Sequence, residues 1–356
     1  MDLEEKLLQI NNQTSCPVFS VKTGVVKKAN IAALKCGIKI GQSVQDIIYS
    51  GFRDYKKFSQ GTLYLAVGIN DKIYNATVVR YGTTNTFILD SEFISTFYKQ
   101  LNILSDKLRE PLSDAMFALD KLYKQQGFSN NIYMMQLKRS LMRLHRSFYN
   151  MGSLPDNTTE PQSKKSNQDL TMLIEELAQD TQTVMASAGY KLKYVIPKRK
   201  IICYMDLEMM RRAVMNMLAN AMRFTRPKKT IHLRMTKFND NCKISVTNFF
   251  EDPALIDQFD QFSIYSHASL DKNSGGIGLG LNIIRSVATA HGGALLMDRL
   301  DENTIQMTMS LPVMIHAENR YRNLLRTYRK HPTSYTGGYN FILTELSDLL
   351  PPESFK

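Results

Sequence analysis

The chain has 356 residues, enough for two or three domains, and its 43% apolar and 22% charged content is that of a soluble globular protein. No apolar run approaches the roughly 20 residues of a membrane helix, no secretory leader pattern is present, and cysteines 16, 36, 203 and 242 are too scattered for a metal knuckle or an exported disulfide scaffold, so a reducing cytoplasm is expected. The net charge of +12 invites nucleic acid or an acidic membrane, but Lys198-Arg199-Lys200, Arg226-Pro227-Lys228-Lys229 and the Arg320 to Lys330 stretch are separated runs that read as solvated faces.

Residues 1–94 read as a small α/β module. Cys16 to Val21 has the pattern of a strand, Gly24 that of a turn, and Ala29-Asn30-Ile31-Ala32-Ala33-Leu34 that of a short helix start. Beyond Gly61 come three alternating runs, Leu63 to Ile69, Ile73 to Arg80 and Asn85 to Leu89, reversed at Asn70-Asp71 and Tyr81-Gly82. The strand, turn and Ala-Asn-x-Ala-Ala order, with Gly41-Gln42-Ser43 after it, resembles a PAS sensor domain. No cofactor handle stands out, and Cys16 and Cys36 read as core residues.

From about 95 to 151 the period becomes helical. Phe97, Leu101, Leu104, Leu108, Leu112, Met116, Leu119 and Leu122 recur every three or four residues, and after a turn at Gly127 to Asn131 so do Met134, Leu137, Leu141, Leu144, Phe148 and Met151. Such helices predict an antiparallel hairpin whose apolar seam is too wide for one pair to cover. A second copy would complete a four-helix bundle, and packing on the chain's own neighbouring domain is the alternative. Residues 152–167, rich in Ser, Thr, Pro and Lys, read as a flexible linker.

Residues 168–314 alternate helices and strands: a helix from Asp169, strands near Lys191 to Ile196 and Ile201 to Tyr204, a helix from about Asp206, and strands Ile231 to Met235, Cys242 to Thr247 and Thr304 to Leu311. That mixture predicts a helical layer on one sheet. Within it, Asn216, Asn220 and Arg223 fall four and three residues apart and so share a helical face, while Val214, Leu218 and Ala221 are free to enter a core. Two amide oxygens and a guanidinium on one stripe suit a metal and phosphate oxygens. Further on, Ser274-Gly275-Gly276-Ile277-Gly278-Leu279-Gly280-Leu281 places glycines where backbone can approach a ligand ahead of a helix, and His291-Gly292-Gly293 follows. Residues 315–356 form a basic tail with a Pro-rich end and no assignable role.

The asparagine stripe and the glycine loop, in this order and at this separation, resemble the N box and G2 box of the ATP-binding domain of sensor histidine kinases, in the GHKL ATPase superfamily. The resemblance extends over nearly the whole chain and implies an α+β multidomain protein: a PAS-like α/β sensor, a helical hairpin dimerising into a four-helix bundle, and a GHKL α/β sandwich. It implies ATP and Mg2+ as cofactors, with Asn220 holding magnesium, Asn216 supporting it, Arg223 on phosphate, and Gly276, Gly278 and Gly280 as the hinge of a lid. Phe259 and Phe262 resemble the F box beside that lid, although each taken alone reads as an ordinary core aromatic.

Two boxes depart from the pattern. Where the G1 box has an aspartate and then glycines, the chain has Asn248-Phe249-Phe250-Glu251-Asp252; Asn248 adds a competing donor, and Phe250 and Asp252 stand at glycine positions, which predicts nucleotide binding that is weak, altered or absent. Where the H box has its phosphoacceptor histidine and acid, Ser105-Asp106-Lys107-Leu108-Arg109-Glu110-Pro111-Leu112 carries Asp106 and Lys107, with Glu110 at the usual threonine. A carboxylate is a poor nucleophile toward phosphoryl groups without metal or lysine assistance, and a charged lysine accepts no proton. The expectation is therefore a cytoplasmic, dimeric, histidine-kinase-like signalling protein impaired in autophosphorylation, working on a response regulator or an active kinase. An active kinase or ATPase with an unusual phosphoacceptor is the alternative, and nucleic-acid binding through the basic runs a lesser third.

Overall fold

The computed structural model describes residues 16–90, 92–123, 131–152, 165–225, 230–250, 279–313 and 340–355. The N-terminal module contains β1 (Val18–Lys22), β2 (Val25–Ala29), α1 (Ile31–Cys36), β3 (Ile48–Ser50), α2 (Phe52–Lys57), β4 (Thr62–Ile69), β5 (Lys72–Tyr81) and β6 (Thr84–Leu89), with sheet order β2-β1-β6-β5-β4 and β3 against part of β4. Asn30 stitches its first helix to its first strand. Its side-chain oxygen accepts from Ala33 N at 2.8 Å, capping α1, and from Val18 N at 3.0 Å, so this buried amide is satisfied by both elements it joins. Asn70 and Asp71, both at positive φ, close the β4–β5 hairpin in two residues. Cys16 and Cys36 are half-buried, so the reading of both as core residues does not hold.

The hairpin follows as α3 (Glu92–Tyr123) and α4 (Ile132–Met151), the latter capped by Asn131. Next come β7 (Ser166–Asp169), α5 (Leu170–Ser187), β8 (Lys191–Val195), β9 (Ile202–Met205), α6 (Leu207–Phe224), β10 (Thr230–Phe238), β11 (Asn241–Phe249), α7 (Gly280–Ala290), β12 (Leu295–Arg299), β13 (Thr304–Pro312) and a short α8 (Phe341–Glu345). β7 pairs with β9, so the end of the expected linker, Ser166 and Asn167, is strand; residues 153–164 lie outside the described part. Asp169 and Asp206 cap α5 and α6, each accepting from a backbone N–H three residues on.

The second sheet has order β12-β13-β11-β10-β8, antiparallel except for β8 against β10. It is not separate from the first. β12 pairs antiparallel with β4 through Leu295↔Tyr64, Leu296↔Leu63 and Met297↔Thr62, so one sheet of eleven strands runs through both regions. Gly61 makes this approach possible: its φ is +81° and a Cβ there would overlap Met297 O. Around the ladder, Arg285 of α7 donates to Asp90, just past β6, at 2.6 Å with both side chains buried, and Ser310 Oγ donates to Asp54 at 2.7 Å.

One large core is formed by α5, α6, α7 and the second sheet, and Leu112, Met116 and Met142 of the hairpin enter it. The hairpin thus packs one flank on its own neighbour, while Ile103, Leu104, Phe117, Leu137 and Leu144 stay exposed on the rest of its surface. Residues 340–355 also join that core through Phe341, Ile342, Leu346, Leu350 and Phe355, so the last part of the expected tail is a packed segment. No helix among the described residues is long and apolar enough to cross a membrane.

Candidate nucleotide site

α6 carries the asparagine stripe. Its apolar residues Met210, Val214, Met217, Leu218 and Ala221 are buried, which fixes the rotation of the helix and leaves Asn216, Asn220 and Arg223 along an adjacent stripe. Asn216 is wholly buried; its Nδ2 donates to Arg212 O at 3.0 Å, while its Oδ1 finds no hydrogen-bond partner among the described residues. That orphaned oxygen faces the start of α7. A Cβ on Gly280 would lie 3.0 Å from Asn216 Oδ1 and 3.5 Å from Asn220 Oδ1, so the α7 backbone passes close to both amides and a larger residue there would press on Asn216. Among the described residues no side chain caps the start of α7. Gly276, Gly278, Phe259 and Phe262 lie outside the described residues.

Arg223, one turn beyond Asn220, is ion-paired to Asp348 at 3.5 Å, and burial together with Arg146 and Arg143 lowers its pKa. At the far end of the site β11 alternates buried and half-buried residues, with Ile244, Val246 and Asn248 on the face toward α6. Asn248 is buried opposite Ile305, and its Nδ2 has no partner among the described residues. Beyond it, Phe250 stacks on Phe224 of α6, ring centroids 5.4 Å apart, and its backbone N–H donates to Asn303 O at 2.7 Å. Asp252 lies outside the described residues.

His291, in the His-Gly-Gly motif, has a structural task. Its Nε2 accepts from Asp206 N at 3.0 Å and its Nδ1–H donates to Val287 O at 2.7 Å, tying the start of α6 to the end of α7. Burial lowers its pKa, in keeping with a neutral ring that uses both nitrogens.

The H-box segment lies mid-way along α3. Asp106 is exposed and ion-paired to Arg109 at 3.0 Å; Lys107 and Glu110 are exposed as well. Ser105 is buried, its hydroxyl donating to Phe148 O of α4. His145 on α4 is stacked on Tyr149 and has its pKa pushed down to about 4 by burial, then by Arg109 and Arg212. Tyr149 connects hairpin to α6: Arg212 lies over its ring at 3.8 Å and Arg109 at 5.8 Å. Arg212 and Tyr149 were not apparent as contact residues, since neither belongs to a box. A faint signal existed in the three-residue spacing of Arg109 from Asp106 and the four-residue spacing of Arg212 from Asn216.

The family profile described as histidine kinase-, DNA gyrase B-, and HSP90-like ATPase matches residues 205–315, from the end of β9 through α6, β11 and α7 to β13. Similar curated proteins include the probable sensor protein PcoS of Escherichia coli, 28% identical over 54% of this chain and 42% of its own length. Another is the adaptive-response sensory kinase SasA of Gloeothece citriformis, 24% identical over 60% of this chain and 57% of its own. Over this region the chain is similar to sensor histidine kinases. Residues 205–315 are the part that matches this ATPase-type domain. The chain spans no more than about three fifths of these relatives, with 42% and 57% of their lengths matched. Among solved structures, full-length ShkA in complex with AMPPNP aligns with a TM-score of 0.47 at 18% identity, over 61% of this chain and 46% of that one.

Proposed function

We propose that this two-component signalling protein is a dimeric sensor and adaptor impaired in its own phosphorylation. The observation that carries the reading is the side chain presented at the phosphoacceptor position: a solvent-exposed carboxylate, Asp106, already ion-paired to Arg109 and followed by Lys107. An imidazole there would be a largely neutral nucleophile near pH 7, whereas a carboxylate needs metal or lysine assistance, and a protonated lysine cannot serve as base. His145 offers no substitute, because it is buried on α4.

The phosphate end of the site carries amides that would suit a magnesium-bound triphosphate. Asn220 and Asn216 would hold the metal through amide oxygens, the start of α7 would offer N–H donors, and Arg223 would contact phosphate; bound Mg-ATP would supply the transferable phosphoryl group. The base end is altered: Asn248 offers a buried donor where the family has an acceptor, and the Phe224–Phe250 stack occupies space beside it. This contrast supports weak or altered nucleotide binding. It also favours a second reading, ATP hydrolysis or transfer to another acceptor, since the phosphate-facing asparagines persist.

The strand order β2-β1-β6-β5-β4 supports a PAS-type sensor role for the N-terminal module. The exposure of Ile103, Leu104, Phe117, Leu137 and Leu144 supports dimerisation through the hairpin, where a second copy would bury them. The dimer would then engage a response regulator or pair with an active kinase in the cytoplasm. Incubation with radiolabelled ATP and magnesium tests the proposal: no acid-labile label is expected, and label that disappears in Asn220→Ala would overturn it. Failure to bind nucleotide at millimolar concentration would remove the second reading.

A further inference from the structure

Residues 340–355 take no part in the chemistry above, yet a cluster of arginines from two other elements holds them in place. Asn340 caps α8, accepting from Leu343 N at 3.1 Å. Phe341, Ile342, Leu346, Leu350 and Phe355 are all buried within the core shared by hairpin and ATPase domain, and Phe341 also lies under the Arg211 guanidinium at 4.7 Å. The polar side is gripped by α4. Arg143 Nε donates to Asp348 Oδ1 at 2.7 Å, Arg146 Nη1 to Asp348 Oδ2 at 2.8 Å and Arg146 Nε to Glu345 at 3.3 Å. Arg139 donates to the carbonyls of Ser347 at 3.0 Å and Asp348 at 3.2 Å.

Among the described residues, one more partner of Asp348 comes from α6. It is Arg223, 3.5 Å from the same Oδ2 that Arg146 holds at 2.8 Å. Among the described residues, Arg143, Arg146 and Arg223 thus face the two carboxylates Glu345 and Asp348 in one part-buried cluster. Of these contacts the one to Arg223 is long and partly exposed, whereas Arg146 is buried with Glu345. A phosphate oxygen brought along the Asn216–Asn220 stripe would compete for that guanidinium with more charge and better geometry than a shared carboxylate oxygen.

We propose that residues 340–355 are a cis-acting strap clasping the hairpin to the ATPase domain, and that Asp348 competes with a polyphosphate for Arg223. Filling the phosphate end of the site then loosens the clasp, and by reciprocity the docked strap weakens polyphosphate binding by the same factor. This rests on the nucleotide-site reading. The strap is separable from that reading, because an anion without a base tests it.

Full-length protein, Asp348→Asn, Asp348→Ala and Arg223→Gln are titrated with magnesium tripolyphosphate and with Mg-ATP by calorimetry, while hydrogen exchange of the Leu346, Leu349 and Leu350 amides reports strap docking. The asparagine variant keeps the shape and removes the charge. It is expected to bind tripolyphosphate about tenfold tighter than the parent, and saturating tripolyphosphate should raise exchange of those amides in the parent. In Arg223→Gln the anion should no longer affect exchange. Tripolyphosphate binding with equal affinity to parent and both Asp348 variants, with exchange unchanged, overturns the strap alone. A lowered melting temperature in the Asp348 variants without a change in anion affinity does the same, leaving a merely structural tail. No binding of either anion by any variant overturns the strap and the nucleotide site together, and coupling with tripolyphosphate but not ATP keeps the strap and sinks the base-binding part of the site.

Discussion

Two seams join the ATPase domain to the rest of the chain, and they are made of different materials. Toward the N-terminal module the seam is backbone: the β4–β12 ladder, closed by the buried Arg285–Asp90 pair. Toward the hairpin it is side chains: Leu112, Met116 and Met142 in the shared core, Arg212 on Tyr149, and the arginines of α4 on Asp348 and Glu345 of the packed 340–355 segment. A ladder forms or breaks as a unit and is little affected by salt. A part-exposed charge cluster responds in degrees to anions and ionic strength, so the hairpin seam is the one suited to adjustment.

The largest test of that contrast is Asp90→Ala. Removing one partner of a buried pair leaves the Arg285 charge in the interior, and breaking such pairs costs on the order of 3–5 kcal/mol. Arg285 Nε already lacks a partner among the described residues, so little is available to compensate. The loss should appear as a lower denaturant midpoint and change little between 50 mM and 500 mM salt. A loss that shrinks markedly with salt would mean that this seam is electrostatic as well.

Acid should act next, and on the hairpin side. His145 is held at a pKa of about 4 by burial, Arg109 and Arg212, against an ordinary value near 6.5. Between those values the unfolded chain binds more protons than the folded one, so stability rises with pH: the contribution is fully present above 6.5 and is lost as pH falls toward 4. The whole effect is on the order of 3 kcal/mol, with roughly 2 kcal/mol gone by pH 5. His291 adds in the same direction, since burial lowers its pKa too. Urea melts at pH 7.5 and 5.0 would measure the slope, and replacing His145 with Gln should flatten it.

A smaller effect belongs to Gly61→Ala. Its positive φ and the approach of Met297 O should make the change cost about 2 kcal/mol and open the end of the β4–β12 ladder. Since Asp90 braces the same seam, the two substitutions should be less than additive, which a double-mutant cycle on unfolding free energies would detect. Strict additivity would mean that ladder and ion pair act separately.

How far these seams could be read beforehand follows from what local pattern encodes. The N-terminal strands were legible because β4, β5 and β6 alternate and reverse at Asn70-Asp71 and Gly82. The stripe of Asn216, Asn220 and Arg223 was legible because helical spacing is local. The sheet-to-sheet pairing was not, since a period of two tells which face is buried and nothing about which strand lies at the edge. β12 begins two residues after a glycine turn and is short, and β7, Ser166–Asp169, has no apolar alternation at all; pairing with β9 makes it a strand. The strap was hidden for the opposite reason. Arg139, Arg143 and Arg146 have helical spacing, but only the docked carbonyls and carboxylates distinguish them from a solvated face.

Asp106 should give the smallest stability change of all. Its pair with Arg109 is exposed on both sides, so Asp106→Ala should cost no more than about 0.5 kcal/mol. That neutrality makes the position suitable for separating the two departures from the kinase pattern. Asp106→His alone supplies the nucleophile but leaves the charged Lys107 beside it, so little label from radiolabelled ATP is expected. Adding Lys107→Glu supplies a base, and the double variant should take up acid-labile label if the site around Asn220 and Asn248 still positions ATP. Label on the double variant would place the block in the H box. No label on either, with the fold intact by hydrogen exchange, would place it at Asn248 and the Phe224–Phe250 stack.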